Sequence, residues 1–308
     1  METLQTHSSD SLLACLFHCM KSGISTALLF WTFLISTASF GQSLQQADFS
    51  AQTVVSGLSA SIDIGFLPDG RMLIAQRNGQ FFITDDPQPQ APPASVSELF
   101  DIEDITPGDN DNQNTSDVNN GGERGVTKFV LDPNFQSNGF FYVYYTNDQT
   151  NQGRVSRFTF DFNGTPTNFS DDTVDPLSEV VVWEDFSGFP SCCHYGGALG
   201  FLEDGTLLIA IGDKFQANRA QNLADPSGKL HRVDPSQPWS DGVNEGANVP
   251  SDNPLWDNTP GEFNSDGELK SLFAIGLRNP FTGHNDRSTP NWKLYIGEVG
   301  GNDHSKSF

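Results

Sequence analysis

The chain has 308 residues, with 39 acidic against 16 basic side chains and a formal net charge of −23. Such a surface repels nucleic acid and anionic lipid, and suits a soluble extracytoplasmic protein that could collect Ca²⁺. Apolar residues make up 36% of the chain and include 25 Phe, a globular rather than a disordered composition.

Ile24 to Phe40 form an apolar run preceded by Lys21 and ending in Ser39-Phe40-Gly41. This is the pattern of a secretory signal cleaved before Gln42, so residues 1–41 are expected to lie outside the fold. Met20-Lys21 and the run make a compact signal by themselves, which makes Met20 an alternative start. A retained membrane anchor is the competing reading; the run is short for a span, and no later segment is long enough. The expected location is the periplasm or the exterior.

Beyond Gln42 the chain repeats itself. Gly65-Phe66-Leu67-Pro68-Asp69-Gly70-Arg71-Met72-Leu73-Ile74-Ala75 matches Gly200-Phe201-Leu202-Glu203-Asp204-Gly205-Thr206-Leu207-Leu208-Ile209-Ala210. Each reads as a short strand, an Asp-Gly turn and an apolar strand. Looser copies turn after Asp132, through Asn138-Gly139 into the strand Phe140 to Thr146, and after Asp286, into Lys293 to Gly297. Val155–Phe160 and Glu179–Trp183 read as further strands. Strand hairpins recurring at this scale, without amphipathic helices, predict an all-β β-propeller of about four blades in residues 42–308, with a β-sandwich as the alternative. Long loops are expected over Asp101–Gly122, Phe215–Ser227 and Asp234–Lys270, and loops on a rigid ring usually carry binding chemistry. The chain stops soon after an apolar strand, and the expectation is a truncated reading frame or a fragment.

Asp109 to Asn114 alternates oxygen ligands like a Ca²⁺ loop, but lacks the turn Gly at Asn114 and the Glu at Asn120, and is expected to be a solvated loop. Asn114, Asn163 and Asn168 open glycosylation patterns. Cys15 and Cys19 leave with the leader, so Cys192 and Cys193 remain, adjacent in sequence. They either close a vicinal ring or stay as two thiols. His194-Tyr195-Gly196-Gly197 follows at once. A His beside a flexible Gly pair, ahead of a strand, places a candidate general base at the rim of a β-rich core.

These blocks occur in an order that resembles the glucose/sorbosone dehydrogenase family, which includes soluble dehydrogenases dependent on pyrroloquinoline quinone (PQQ) and a related domain of hedgehog-interacting proteins. The resemblance runs from about Val54 to Asn302. It is carried by Phe66-Leu67-Pro68-Asp69-Gly70-Arg71, Glu123-Arg124-Gly125, Asp132-Pro133-Asn134-Phe135, Val155-Ser156-Arg157-Phe158, His194-Tyr195-Gly196-Gly197, Ile211-Gly212-Asp213, Gly228-Lys229-Leu230, Pro250-Ser251-Asp252-Asn253-Pro254 and Ala274-Ile275-Gly276-Leu277-Arg278-Asn279-Pro280.

The resemblance implies a six-bladed propeller with PQQ over its central face, held partly through Ca²⁺. It implies oxidation of an aldose at the anomeric carbon, with hydride passing to the quinone and electrons to an external acceptor. His194 would be the catalytic base and Arg278 the cation at the quinone. Asn279, Glu123 and Tyr195 would be cofactor or substrate-edge contacts, and the carbonyls of Gly300 and Gly301 the Ca²⁺ ligands. No nucleic-acid partner and, after signal cleavage, no membrane partner is expected.

The sequence also departs from the family. Cys193 stands before the His where an acidic residue is found in soluble glucose dehydrogenase, and Tyr195 follows it. Glu123 replaces a Gln. Lys214-Phe215 replace glycines after Gly212-Asp213, which weakens any metal role for that loop, and His231 stands where an apolar residue is usual. The distal Lys and Arg contacts to PQQ lie beyond Phe308, so cofactor affinity is expected to be poor. A non-catalytic secreted propeller that binds a protein or a glycan is the rival expectation.

Overall fold

A computed structural model describes residues 52–85, 94–105, 118–163, 171–187, 191–240, 242, 245–288 and 290–300. The expected leader, the Asp109–Asn114 loop, the patterns at Asn114 and Asn168, and Gly301 lie outside the described residues. The chain divides into Met1–Gln52 and Thr53–Phe308, and the second unit carries the fold.

Its strands form antiparallel sheets joined in chain order. The first contains β1 (Ser61–Phe66), β2 (Met72–Gln76), β3 (Gln80–Thr84) and β4 (Val96–Asp101). The second contains β5 (Lys128–Leu131), β6 (Phe140–Thr146) and β7 (Gly153–Asp161), with both β8 (Thr173–Val174) and β9 (Val180–Glu184) on β7. The third contains β10 (Leu199–Phe201), β11 (Leu207–Ile211), β12 (Lys229–Val233) and β13 (Leu272–Ile275). A last pair, β14 (Pro280–Asp286) and β15 (Lys293–Glu298), makes a two-stranded sheet. No helix among the described residues is long and apolar enough to cross a membrane.

Strand periodicity decides between propeller and sandwich. Alternate residues of a strand face opposite sides of its sheet. On β6, Phe141, Val143 and Tyr145 join one core with Phe81, Phe100 and Phe158, while Tyr142 and Tyr144 join a second with Trp183, Leu199 and Phe201. On β11, Leu207, Ile209 and Ile211 enter that second core, and Leu208 and Ala210 enter a third with Leu230 and Leu294. A sandwich sheet would be wet on one face; here each middle sheet is dry on both, packed between its neighbours like a blade.

Phenylalanine fills the first interface. Phe81 stacks on Phe100 at 4.7 Å, and Phe141 lies 5.8 Å from Phe158. Each such ring contributes roughly 1.5–3 kcal/mol on burial.

The first strands of successive sheets, β1, β5, β10 and β14, touch one another in sequence and so line a common axis. Their glycines allow this approach: a Cβ on Gly65 would lie 2.7 Å from the Phe129 ring, and one on Gly200 would lie 2.7 Å from Leu294 Cδ1.

The repeated aspartates share one turn chemistry. Oδ1 of Asp69, Asp132, Asp204 and Asp286 each accepts the backbone N–H two residues on, at 2.9, 2.8, 2.9 and 2.9 Å. Their registers differ, however. Asp69 and Asp204 follow the ends of β1 and β10 at the same distance, Asp132 follows β5 directly, and Asp286 is the last residue of the longer β14. The segments entering β5, β10 and β14 gather at one end of the axis, where their residues hydrogen-bond to one another.

Candidate active site

Those entering segments, with the long β11–β12 loop, bring distant residues together. The backbone N–H of His194, before β10, donates to Oε2 of Glu123, before β5, at 2.7 Å. Nδ2 of Asn279, before β14, donates to the same oxygen at 3.3 Å, and Oδ1 of Asn279 accepts from the Gly196 N–H at 3.1 Å. The Glu298 carboxylate at the end of β15 accepts the N–H groups of Arg278 (2.6 Å) and Asn279 (3.2 Å). Three sheets are thus tied at one face through the Glu123 carboxylate and the Asn279 amide, while Glu298 closes the last sheet on itself.

His194 is 5% exposed, and its Nδ1 lies 2.6 Å from Oδ1 of Asp213. A carboxylate accepts, so the ring proton sits on Nδ1 and Nε2 is left as the basic nitrogen. Nε2 has no hydrogen-bond partner among the described residues. The other buried histidine differs. His231 has both nitrogens occupied, by Ser271 Oγ and the Pro226 carbonyl at 2.9 Å each, and packs 4.8 Å from Trp183. It is structural, and fills the place of the expected apolar residue.

Backbone crossings hold this pair in place. The Asp213 N–H donates to the Arg278 carbonyl at 2.7 Å, and the Lys214 N–H to the His194 carbonyl at 3.3 Å. Gly212 is required at this crossing because a Cβ there would lie 2.2 Å from the His194 carbonyl oxygen. Gly196 has φ +76°, and its Cβ would lie 2.7 Å from the Gly212 nitrogen. The sequence therefore places glycine on both sides of the contact.

Below the face lies a buried charge pair. Lys214 Nζ is 3.0 Å from Asp185 Oδ2, with side chains 0% and 1% exposed. The ammonium also sits 3.7 Å from the centre of the Tyr195 ring. Burial raises the Asp185 pKa, but Lys214 and Ser187 outweigh it and hold the carboxyl below its usual range. Tyr195 is itself buried, its hydroxyl accepting from Arg124 Nε at 2.9 Å and donating to the Ser191 carbonyl at 3.0 Å. Asn279 is 3% exposed, with its amide committed to Glu123 and Gly196. Tyr195 and Asn279 thus brace the face from within. Arg278 is half-buried, and among the described residues its guanidinium makes one hydrogen bond, from Nη1 to the Val299 carbonyl at 2.7 Å.

Cys192 and Cys193 are joined as a vicinal disulfide, with Cys192 exposed. The Cys192 carbonyl accepts the Glu123 N–H at 3.3 Å, so the ring abuts the carboxylate that holds His194. Gly300 lies in open space. No group of three or more His, Cys, Asp or Glu side chains among the described residues could hold a metal. Sequence reasoning singled out His194, Glu123 and Arg278 but gave Asp213 no role. The Gly-Asp pair directly after an apolar strand was the available signal.

The glucose/sorbosone dehydrogenase family model matches residues 58–304. The chain belongs to this family. Human hedgehog-interacting protein is 27% identical over 244 residues, which cover 75% of this chain and 31% of that protein. The aldose sugar dehydrogenase YliI of Escherichia coli is 25% identical over 162 residues, covering 52% of this chain and 37% of that enzyme. The PQQ-bound aldose sugar dehydrogenase of Streptomyces coelicolor superimposes with a TM-score of 0.55 at 21% identity, over 81% of this chain and 59% of that one. The chain therefore spans less than two thirds of each of these relatives. Family membership makes this a sugar-dehydrogenase-type β-propeller, and His194 lies on the face where its inner strands begin.

Proposed function

We propose that the protein oxidises an aldose at its anomeric carbon with PQQ as cofactor. The observation that carries this reading is the His194–Asp213 pair, which leaves a basic Nε2 on the same face as a half-exposed guanidinium.

The site suits the cofactor at its quinone end. Arg278 is a cation with a single hydrogen bond among the described residues, and it would hold an electron-rich carbonyl edge. Exposed Glu123 would meet the substrate edge. PQQ, when bound, supplies a two-electron quinone acceptor. His194 takes the proton of the anomeric hydroxyl at Nε2, and Asp213 fixes the tautomer and stabilises the imidazolium that forms. Asn279 and Tyr195 position the segment that carries the base. Ca²⁺ held by the Gly300 and Gly301 carbonyls belongs to the same proposal, since backbone carbonyl oxygens suit that cation. Secretion through the leader ahead of Gln42, with reoxidation by an external acceptor, completes the reading.

The test is dye reduction with an aldose panel, with and without PQQ and Ca²⁺. Turnover that requires PQQ and disappears in His194→Ala supports the proposal. Equal turnover in that variant removes His194 from the chemistry. A folded protein that neither binds PQQ nor turns over favours a propeller that binds a protein, the reading to which the hedgehog-interacting relative lends weight.

A further inference from the structure

The β11–β12 loop opens with two adjacent non-glycine residues in the left-handed region, Lys214 at φ +56° and Phe215 at φ +64°. Lys214 is driven inward to Asp185 and Tyr195. Phe215 is driven outward and is 65% exposed. Its ring meets the His194 imidazole edge to face at 5.1 Å, and its N–H donates to Asp213 Oδ1 at 2.9 Å.

Neither local preference nor burial accounts for phenylalanine at this position. A bulky side chain is disfavoured at positive φ, and an exposed ring forgoes most of the gain of leaving water. Strained residues held by their surroundings cluster at ligand sites. Here the surroundings are a buried ion pair on one side and the candidate base with its carboxylate on the other. The ring cannot drift far, because its own backbone nitrogen is tied to the group that orients His194.

We infer that Phe215 is a substrate-contacting, specificity-determining residue: its ring stacks on the C–H face of an aldopyranose whose anomeric hydroxyl is directed at His194. Lys214 is a positioning residue that fixes the ring through Asp185. The inference rests on the sugar-oxidising reading and names the part of the sugar that this loop recognises. A pyranose offers a rigid apolar face, and an aromatic wall beside a few polar groups is how such a face is bound. An open-chain alditol of the same carbon number presents the hydroxyls without that face.

The experiment is a titration of the protein, labelled with ¹³C on phenylalanine and histidine rings and supplied with PQQ and Ca²⁺, with D-glucose, D-galactose and D-xylose, and with D-sorbitol as the alditol. Phe215→Leu identifies the Phe215 signal by its loss. The expected result is that an aldopyranose moves both the Phe215 and the His194 ring signals. Phe215→Leu then weakens its binding about tenfold, Phe215→Tyr restores it, and sorbitol is indifferent to both. If a sugar moves the His194 signal while the Phe215 signal stays still and Phe215→Leu binds equally well, the inference is overturned and the sugar reading stands. If no sugar moves either signal, the sugar reading fails and takes the inference with it.

Discussion

Asp213 Oδ1 lies 2.6 Å from His194 Nδ1, and the same oxygen accepts the Phe215 N–H at 2.9 Å. One carboxylate oxygen thus sets the tautomer of the candidate base and the start of the loop beside it. Asp213→Asn is expected to lower sugar turnover roughly 10²–10⁴-fold with the far-ultraviolet circular dichroism unchanged, because an amide can donate to Nδ1 and move the ring proton to Nε2. Wild-type turnover in this variant would show that the pair is structural.

Lys214 and Asp185 are both removed from water, so breaking the pair leaves one uncompensated charge. Lys214→Met is expected to cost about 3–5 kcal/mol of stability, and the double variant Asp185→Asn/Lys214→Met to recover most of it. Urea unfolding of the three proteins checks this. The Asp185 pKa is depressed in the folded protein, so the pair's contribution is present above the ordinary value of 3.8 and is lost as the pH falls below it.

A half-buried carboxyl and a buried imidazole give opposite pH slopes in overlapping windows. Burial, reinforced by Glu245, raises the Glu262 pKa from 4.5 to about 7, so the folded state holds a proton that the unfolded state has released. Stability from this group falls as the pH rises from 4.5 to about 7. Burial lowers the His231 pKa from 6.5 to about 4, so stability from His231 rises with pH across that interval. Glu262→Gln is expected to raise the urea midpoint at pH 8 more than at pH 5. A variant with the same gain at both pH values would show that Glu262 ionises normally.

The Cys192–Cys193 ring closes so short a loop that little unfolded-state entropy is at stake. Reduction with a dithiol is expected to leave the melting temperature nearly unchanged. It should nevertheless lower turnover, because the Cys192 carbonyl is bonded to Glu123, which in turn holds the His194 N–H. A large fall in melting temperature on reduction would assign the ring to stability.

The strands and their turns were legible in the chain because their causes are local. β6 and β11 alternate apolar residues on both faces, and the four aspartates each bond a backbone N–H two residues away. His194 and its Gly pair were legible for the same reason. The hydrogen-bond partners of Glu123, Asn279 and Tyr195 were not. Those depend on which segment lies beside each side chain, and they are His194, Gly196 and Arg124.

Local chain chemistry thus dictated the hairpins, the apolar alternation and the position of a histidine at the mouth of a strand. The pairing of β11 on β10 decided that Asp213 faces His194 and that Phe215 is left exposed beside the base, and only the packing of sheets around a common axis decided that Lys214 is buried on Asp185 and that Glu123 and Asn279 hold the segment of His194. The physical reason is range. A strand or a turn is stabilised by residues a few positions apart, whereas the ties across this face join segments from different sheets, and nothing in either segment alone specifies the other.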